Sequence, residues 1–411
     1  MAVTAGAVRP AVADQGGVTA PAGFQVGVAS ADIRGDHAHG PDLALIVSDR
    51  PAAAAGVFTS NIVRAAPVVI SQLHLKRGLA RAVVVNSGNA NACTGARGLG
   101  DALRMAQATS ECVDCAPGEV LVASTGVIGR TLPMERILPA IAAAGSSLAR
   151  NGHEAAEAIM TTDTMSKQAA EALVLEGVEH HLGGMAKGSG MIHPEMATLL
   201  AFVTTDVRIG PGLLSELLRQ AVGLSFNRIS VDGDTSTNDC CLVMANGAVG
   251  GPELRPGSSD TELFAAALNR VLGSLAQQVV ADGEGATRTF SVRVTGAVDE
   301  SQALLAARTV TSSPLVKTAI HGGDPNWGRI LAAVGRSGAE LALDRCRLSI
   351  QGEELFAFGQ VVDGAVPRVV PLLSMPQIAI EINLGAGEAE ATALGCDLSS
   401  DYVRINAAYS T

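Results

Sequence analysis

Two unbroken apolar runs, AVVV at 82–85 and LLAFV at 199–203, set the tightest limit on how this chain folds. A strand with one wet face alternates apolar and polar residues, whereas a run without polar partners must be covered on both sides. Alternation occurs elsewhere: Ile378, Ile380, Ile382 and Leu384 share one face, as do Phe290, Val292 and Val294. Helical periodicity lies between these segments. Phe264, Leu268, Val271, Leu272, Leu275 and Val279 fall on one stripe. Met134, Ile137, Leu138 and Ile141 fall on another, with Pro133 near its start, where a missing N–H is tolerated. Helices and strands are mixed along the chain, so helices packed on sheets, in an α/β or α+β arrangement, are expected.

The chain has 411 residues, enough for two or three average domains or one large two-layer unit. It carries 29 Lys and Arg against 40 Asp and Glu, a net charge of −11, with one Trp and two Tyr. Nucleic-acid binding needs a basic footprint and often stacking aromatics, so that class is excluded. No apolar run reaches the roughly 18–20 residues of a membrane span. Residues 1–22 read as a loose tail without the basic leader and compact apolar stretch of a signal peptide. Seven cysteines, an odd number over a long chain, point to free thiols in a reducing cytoplasm.

Glycine- and asparagine-rich stretches interrupt the elements: NSGNAN at 86–91, STGVIG at 124–129, GGMAKGSG at 183–190, DGDTSTND at 232–239 and HGGDPNWGR at 321–329. Such loops let backbone N–H groups approach a ligand, and several of them suggest a site assembled from many connections. Other signals fail on inspection. Cys112 and Cys115 form a CxxC pair without a second pair or a histidine at zinc spacing, so no metal site is expected. Lys187-Gly188-Ser189 has the wrong order for a phosphate loop. The stretch from Asp232 lacks the sixth-position glycine of a calcium loop and has Val243 at position twelve.

The segment KGSGMIHPEMATLLAF at 187–202 has the features of a self-cleaving nucleophile. A glycine-rich stretch leads to a proline turn; small Ala197 and then Thr198 follow, and a buried strand begins. Attack by the Thr198 hydroxyl on the Ala197 carbonyl needs a bent, uncrowded peptide. Cleavage would give Thr198 a free amine, of pKa about 8, able to serve as base for its own hydroxyl. On the residues alone, Thr198 reads first as a β-branched residue opening a strand.

The segment MIHPEMAT at 191–198 resembles the cleavage motif of the ornithine acetyltransferases, the bifunctional glutamate N-acetyltransferases. Further matches run in order: GVFTSN at 56–61, VNSGNANACTG at 85–95, ASTGVIG at 123–129, MTTDT at 160–164, DTSTND at 234–239, DGEGA at 282–286, HGGDPNWGR at 321–329 and NAAYST at 406–411. The likeness covers essentially everything after the tail. A clavulanate-pathway relative shares several motifs but departs from NSGNAN, which is intact here.

The resemblance implies an α+β fold, a layered sheet-and-helix sandwich resembling N-terminal-nucleophile hydrolases with different connectivity. It implies self-cleavage into residues 23–197, after the tail, and residues 198–411, held together as an α2β2 assembly. The implied reaction is ping-pong acetyl transfer from N-acetylornithine to glutamate through acetyl-Thr198, without cofactor or metal. Use of acetyl-CoA as a second donor is left open. The resemblance assigns the oxyanion donors to the Thr125 hydroxyl and the Gly126 N–H. It assigns substrate contacts to Thr164, Lys187, Thr198, Glu284, Asn406 and Thr411. Asp324, Asn326, Trp327 and Arg329 are expected to shape the fold or an interface and carry no catalytic role. The alternatives are a self-processing N-terminal-threonine amidase or peptidase, the clavulanate-pathway acetyltransferase relative, and a non-enzymatic binding or assembly protein.

Overall fold

The structure, a computed structural model, describes residues 16–35, 40–193 and 199–408. Ala197, Thr198 and Thr411 lie outside the described residues. The first sheet holds β1 (Phe24–Ala29), β2 (Leu43–Phe58), β3 (Leu79–Asn86), β4 (Val120–Ser124), β5 (Lys167–Leu175), β6 (Val178–Lys187) and β7 (Leu200–Thr205). Beyond β8 (Ile229–Ser230), β9 (Cys240–Ala245) completes it, in the order β4-β3-β2-β9-β7-β6-β5 with β1 on β2. The second sheet contains β10 (Thr289–Ala297), β11 (Arg347–Ile350), β12 (Glu353–Ala357), β13 (Gln360–Val361), β14 (Gln377–Asn383) and β15 (Ala389–Cys396). Its order is β13-β12-β11-β14-β10-β15-β8.

The buried runs behave as expected. In β2, Leu43, Leu45 and Val47 enter a core with Ala82, Val84 and Val122, while Ala44 and Ile46 enter another with Val83, Val85 and Phe202. The first core is closed by α1 (Ala66–His74), α2 (Gly95–Val113) and α3 (Met134–Gly145), and the second by α4 (Gly152–Ala158). Both faces are therefore covered, which the unbroken apolar runs require. In β14 the alternation is literal: Ile378, Ile380 and Ile382 are buried, and Gln377, Ala379 and Glu381 are exposed. That strand has one wet face.

A third core lies under α5 (Pro211–Leu224) and α6 (Ser259–Ala281). The stripe Phe264, Leu268, Val271, Leu272, Leu275 and Val279 is buried against β6 and β7 residues such as Leu182 and Val203. Ser258 caps α6 by accepting the Thr261 N–H, worth about 1 kcal/mol. By length and composition α6 could cross a bilayer, but its apolar stripe is spent on this core. The glycine-rich pattern at 183–190 predicts a loop, but the structure puts Gly183 and Gly184 in β6, where their function is contact. A Cβ on Gly184 would sit 3.0 Å from Leu275 and 3.2 Å from Val271, so the missing side chain lets α6 lie close on the strand.

The second sheet is layered with α7 (Glu300–Thr311), α8 (Pro314–Gly322), α9 (Trp327–Gly335) and α10 (Val366–Val369). The HGGDPNWGR residues shape this unit. Asn326 caps α9 by accepting the Arg329 N–H at 3.1 Å, and Trp327 stacks on Phe356 with centroids 5.6 Å apart. Arg329 donates to the Leu315 carbonyl at 3.0 Å. The last described element is α11 (Ser400–Ala408). Cys112 lies in α2 and Cys115 just beyond it, both as free thiols.

The two sides of segment 194–198 share one sheet. β6 pairs antiparallel with β7, in a register that sets Lys187 opposite Leu200, and β7 pairs parallel with β9.

Candidate active site

A cleft opens where β4, β6, the β8–β9 loop and the loop after α6 converge. Its lining includes Thr125, Gly126, Thr161, Lys187, Glu284 and Asn406. These residues are scattered over the chain and meet because the loop after β4, the end of β6, the β8–β9 loop, the loop after α6 and helix α11 converge on the cleft.

Thr125 and Gly126 follow β4. Gly126 has φ +129°, and a Cβ there would strike the Gly88–Asn89 backbone. Glycine is thus required both by conformation and by close approach. Asn238 braces the same wall, donating to the carbonyls of Ala90 at 2.6 Å and Ser124 at 2.8 Å.

Lys187 ends β6 and is 4 % exposed. Its ammonium donates to Thr161 Oγ1 at 2.7 Å and Thr125 Oγ1 at 3.3 Å and lies 3.9 Å from Asp163 Oδ2. Because the Thr125 hydroxyl accepts from Lys187, its own proton is left to donate elsewhere. Burial lowers the Lys187 pKa; Asp163 opposes that shift, and Lys167 adds to it.

Behind this wall lies a charge network that sequence reading missed. Lys167, with its side chain fully buried, bridges Asp163 at 2.7 Å and Asp282 at 2.5 Å. Asp163 also accepts the N–H groups of Gly188 at 2.7 Å and Thr161 at 3.1 Å. Burial pushes the Asp163 pKa up, but Lys187, Lys167 and the Gly188 N–H outweigh it and hold it at about 2. A carboxyl depressed in the folded state contributes stability above its unfolded pKa of about 3.9 and loses it as pH falls toward 2. Asp163→Asn is therefore expected to lose about 2 kcal/mol of the pH-dependent stability between pH 4 and 2. Its melting temperature should vary less over that range than the wild type's, which an acid series of thermal melts reads directly.

On the opposite wall, Asn406 from α11 donates to Glu284 Oε2 at 2.7 Å. Glu284 is positioned by its N–H, which donates to Ser189 O at 2.8 Å. Gly190 faces it: a Cβ would come within 2.5 Å of the carboxylate. Thr164 is placed differently. Its N–H donates to Asp282 Oδ2 at 3.0 Å, its hydroxyl bonds the same carboxylate, and it is absent from the cleft lining. The structure thus gathers Thr125, Gly126, Lys187, Glu284 and Asn406 in one cleft and sets Thr164 behind it. Among the described residues no group of three or more His, Cys, Asp or Glu is arranged to hold a metal ion. The cleft can bind a small polar molecule between an ammonium and a carboxylate, beside paired hydroxyl and N–H donors.

The sequence matches the ArgJ family over residues 25–411. It is 51% identical over 397 residues to the arginine biosynthesis bifunctional protein ArgJ of Symbiobacterium thermophilum, covering 96% of this chain and 99% of that protein. It is 46% identical over 396 residues to the protein of the same name from Dehalococcoides mccartyi, covering 96% and 98%. Among solved structures it is similar to ornithine acetyltransferase of Mycobacterium tuberculosis complexed with ornithine. That match has 44% identity and a TM-score of 0.41 and covers 43% of this chain and 94% of the other.

Proposed function

This chain belongs to the ArgJ family and is an acetyltransferase of arginine biosynthesis, and on that premise we propose that its cleft runs a ping-pong transfer from N-acetylornithine to glutamate. The nucleophile in this reading is Thr198, freed by cleavage after Ala197. The Thr198 hydroxyl adds to the Ala197 carbonyl, the C–N bond breaks, and the nitrogen takes the hydroxyl proton, leaving an ester. Water then hydrolyses the ester to the Ala197 carboxylate and restores the hydroxyl beside the new amine. In turnover that amine takes the hydroxyl proton as the oxygen attacks the acetyl carbonyl. Ornithine departs with the proton; the glutamate amine then attacks the acetyl carbonyl, the ester C–O bond breaks, and the proton lost by that amine passes through the Thr198 amine to Oγ, restoring the hydroxyl.

The observation that carries this reading is the convergence of Thr125, Gly126, Lys187 and Glu284 on a cleft flanked by Gly190 and Met191, a few residues before Thr198. The Thr125 hydroxyl and Gly126 N–H serve the oxyanion. Lys187 supplies the cation for an α-carboxylate, and Glu284 with Asn406 takes an amine. Thr164 supports the Lys187 wall through Asp282, Lys167 and Asp163, and Thr411 is assigned a substrate contact on the family resemblance alone. Residues 23–197 and 198–411 stay together because β6 and β7 share a sheet, and two such pairs form the α2β2 assembly. We place the reaction in the cytoplasm, in keeping with the free thiols.

The test is to supply N-acetylornithine and glutamate and follow products. N-acetylglutamate and ornithine should appear in equal amounts. Accumulation of acetate without N-acetylglutamate would make the protein an N-terminal-threonine amidase instead. A parallel reaction with acetyl-CoA and glutamate decides whether it takes the second donor.

A further inference from the structure

Asp232 opens the DGDTSTND loop, and nothing in the acetyl-transfer reading uses it. Its carboxylate accepts the Met191 N–H at 2.5 Å through Oδ2 and the Ile192 N–H at 2.9 Å through Oδ1. Met191 has φ +58°, in the left-handed region. A side chain there costs roughly 1–2 kcal/mol, so the turn persists because something holds it. Ile192 is fully buried, and its carbonyl accepts the Val231 N–H at 2.8 Å and the Asp232 N–H at 3.4 Å. The chain is therefore gripped from both sides at one point, five residues before Ala197.

The same loop secures the other end. It runs from Asp232 to Asp239 between β8 and β9, and the next N–H, that of Cys240, donates to the Leu199 carbonyl at 3.1 Å. One connection thus fixes the residue where the cleavage segment begins and the residue where it ends. A second element joins the grip: Tyr402 on α11 donates its hydroxyl to Asp232 Oδ2 at 3.2 Å. Asn406, one turn further along α11, reaches Glu284. The segment before the proposed cut, the β8–β9 loop and the helix carrying a substrate contact thereby form one hydrogen-bonded unit.

We propose that Asp232 is a positioning residue for self-cleavage: by holding Met191 in its left-handed turn and pinning Ile192, it aims the chain that delivers the Ala197–Thr198 bond to its own hydroxyl. The inference rests on the cleavage reading above. Intramolecular attack depends steeply on geometry, and a misplacement on the order of 1 Å lowers such rates by about 100-fold. An asparagine at 232 keeps the size but leaves one acceptor oxygen where two N–H groups need one each.

The experiment follows the full-length chain made by cell-free translation, reading its conversion into two fragments on denaturing gels with time. Asp232→Asn is expected to slow cleavage by about 10- to 100-fold. Tyr402→Phe, which removes one contact and leaves the carboxylate, should slow it by a smaller factor. Folding is measured separately in an uncleavable Thr198→Ala background, with and without Asp232→Asn. A merely structural role would lower the melting temperature in that background and leave the Tyr402→Phe cleavage rate untouched. Wild-type cleavage rates in both variants overturn the inference and spare the cleavage reading. A wild-type chain that stays whole under the same conditions takes the cleavage reading down as well.

Discussion

Thr198→Ala is expected to give a single full-length band near 42 kDa, the whole chain being 41.6 kDa, and no transfer of acetyl from N-acetylornithine to glutamate. The wild type should give two bands of about half that size. Both losses follow from one atom. Without the Oγ there is nothing to attack Ala197, and without cleavage there is no amine to act as base. Removing the nucleophile of an acyl-transfer enzyme lowers turnover on the order of 10⁶-fold. Thr198→Ser separates the two parts, because it keeps a hydroxyl and, once cleaved, an amine. It should cleave and turn over at reduced rates. The fold should survive either change. The sheet across the cut is held by backbone pairing of β6 with β7 and of β7 with β9, none of which involves this side chain. Two fragments from Thr198→Ala, seen by mass spectrometry, would remove threonine from the mechanism.

The parts of this architecture that were legible in sequence are those in which a local pattern meets a single constraint. The stripe from Phe264 to Val279 shows a helix face because each turn repeats the demand for burial. The alternation at 378–382 shows a half-buried strand for the same reason. Thr125, Gly126, Lys187, Glu284 and Asn406 came from motif resemblance, and the fold gathers them in one cleft. The rest depends on partners that sequence distance hides. Lys167 reads as an ordinary strand-start lysine until Asp282, 115 residues away, closes on it. The resemblance marks Thr164 as a substrate contact, and only the fold shows its N–H and hydroxyl turned onto the Asp282 carboxylate. Asp232 lies 40 residues from Ile192 and 170 from Tyr402. Buried charge survives only when every member finds its partner, so such networks are properties of the assembled fold. Glycines 183–184 mislead for a related reason. A loop that needs freedom and a strand that needs contact both call for glycine, and only the position of α6 tells them apart.

Thr125→Val should lower kcat by about 100- to 1000-fold, equivalent to roughly 3–4 kcal/mol of transition-state stabilisation, while KM changes little. Valine keeps the branched shape and the volume, and the backbone anchor, the Thr125 N–H to Asn86 O at 3.0 Å, remains. What disappears is a donor aimed at charge that develops only during attack, so the loss falls on kcat and not on binding. Lys187 Nζ keeps its 2.7 Å bond to Thr161 Oγ1 and its neighbour Asp163, which limits collateral damage to the ammonium. Thr125→Ser retains the hydroxyl and should recover most of the rate. The split between the two variants is the informative quantity. A valine variant whose kcat holds while KM rises would move Thr125 from the oxyanion to ground-state binding of substrate. A serine variant as poor as the valine one would show that the methyl group, not the hydroxyl, is what the site requires.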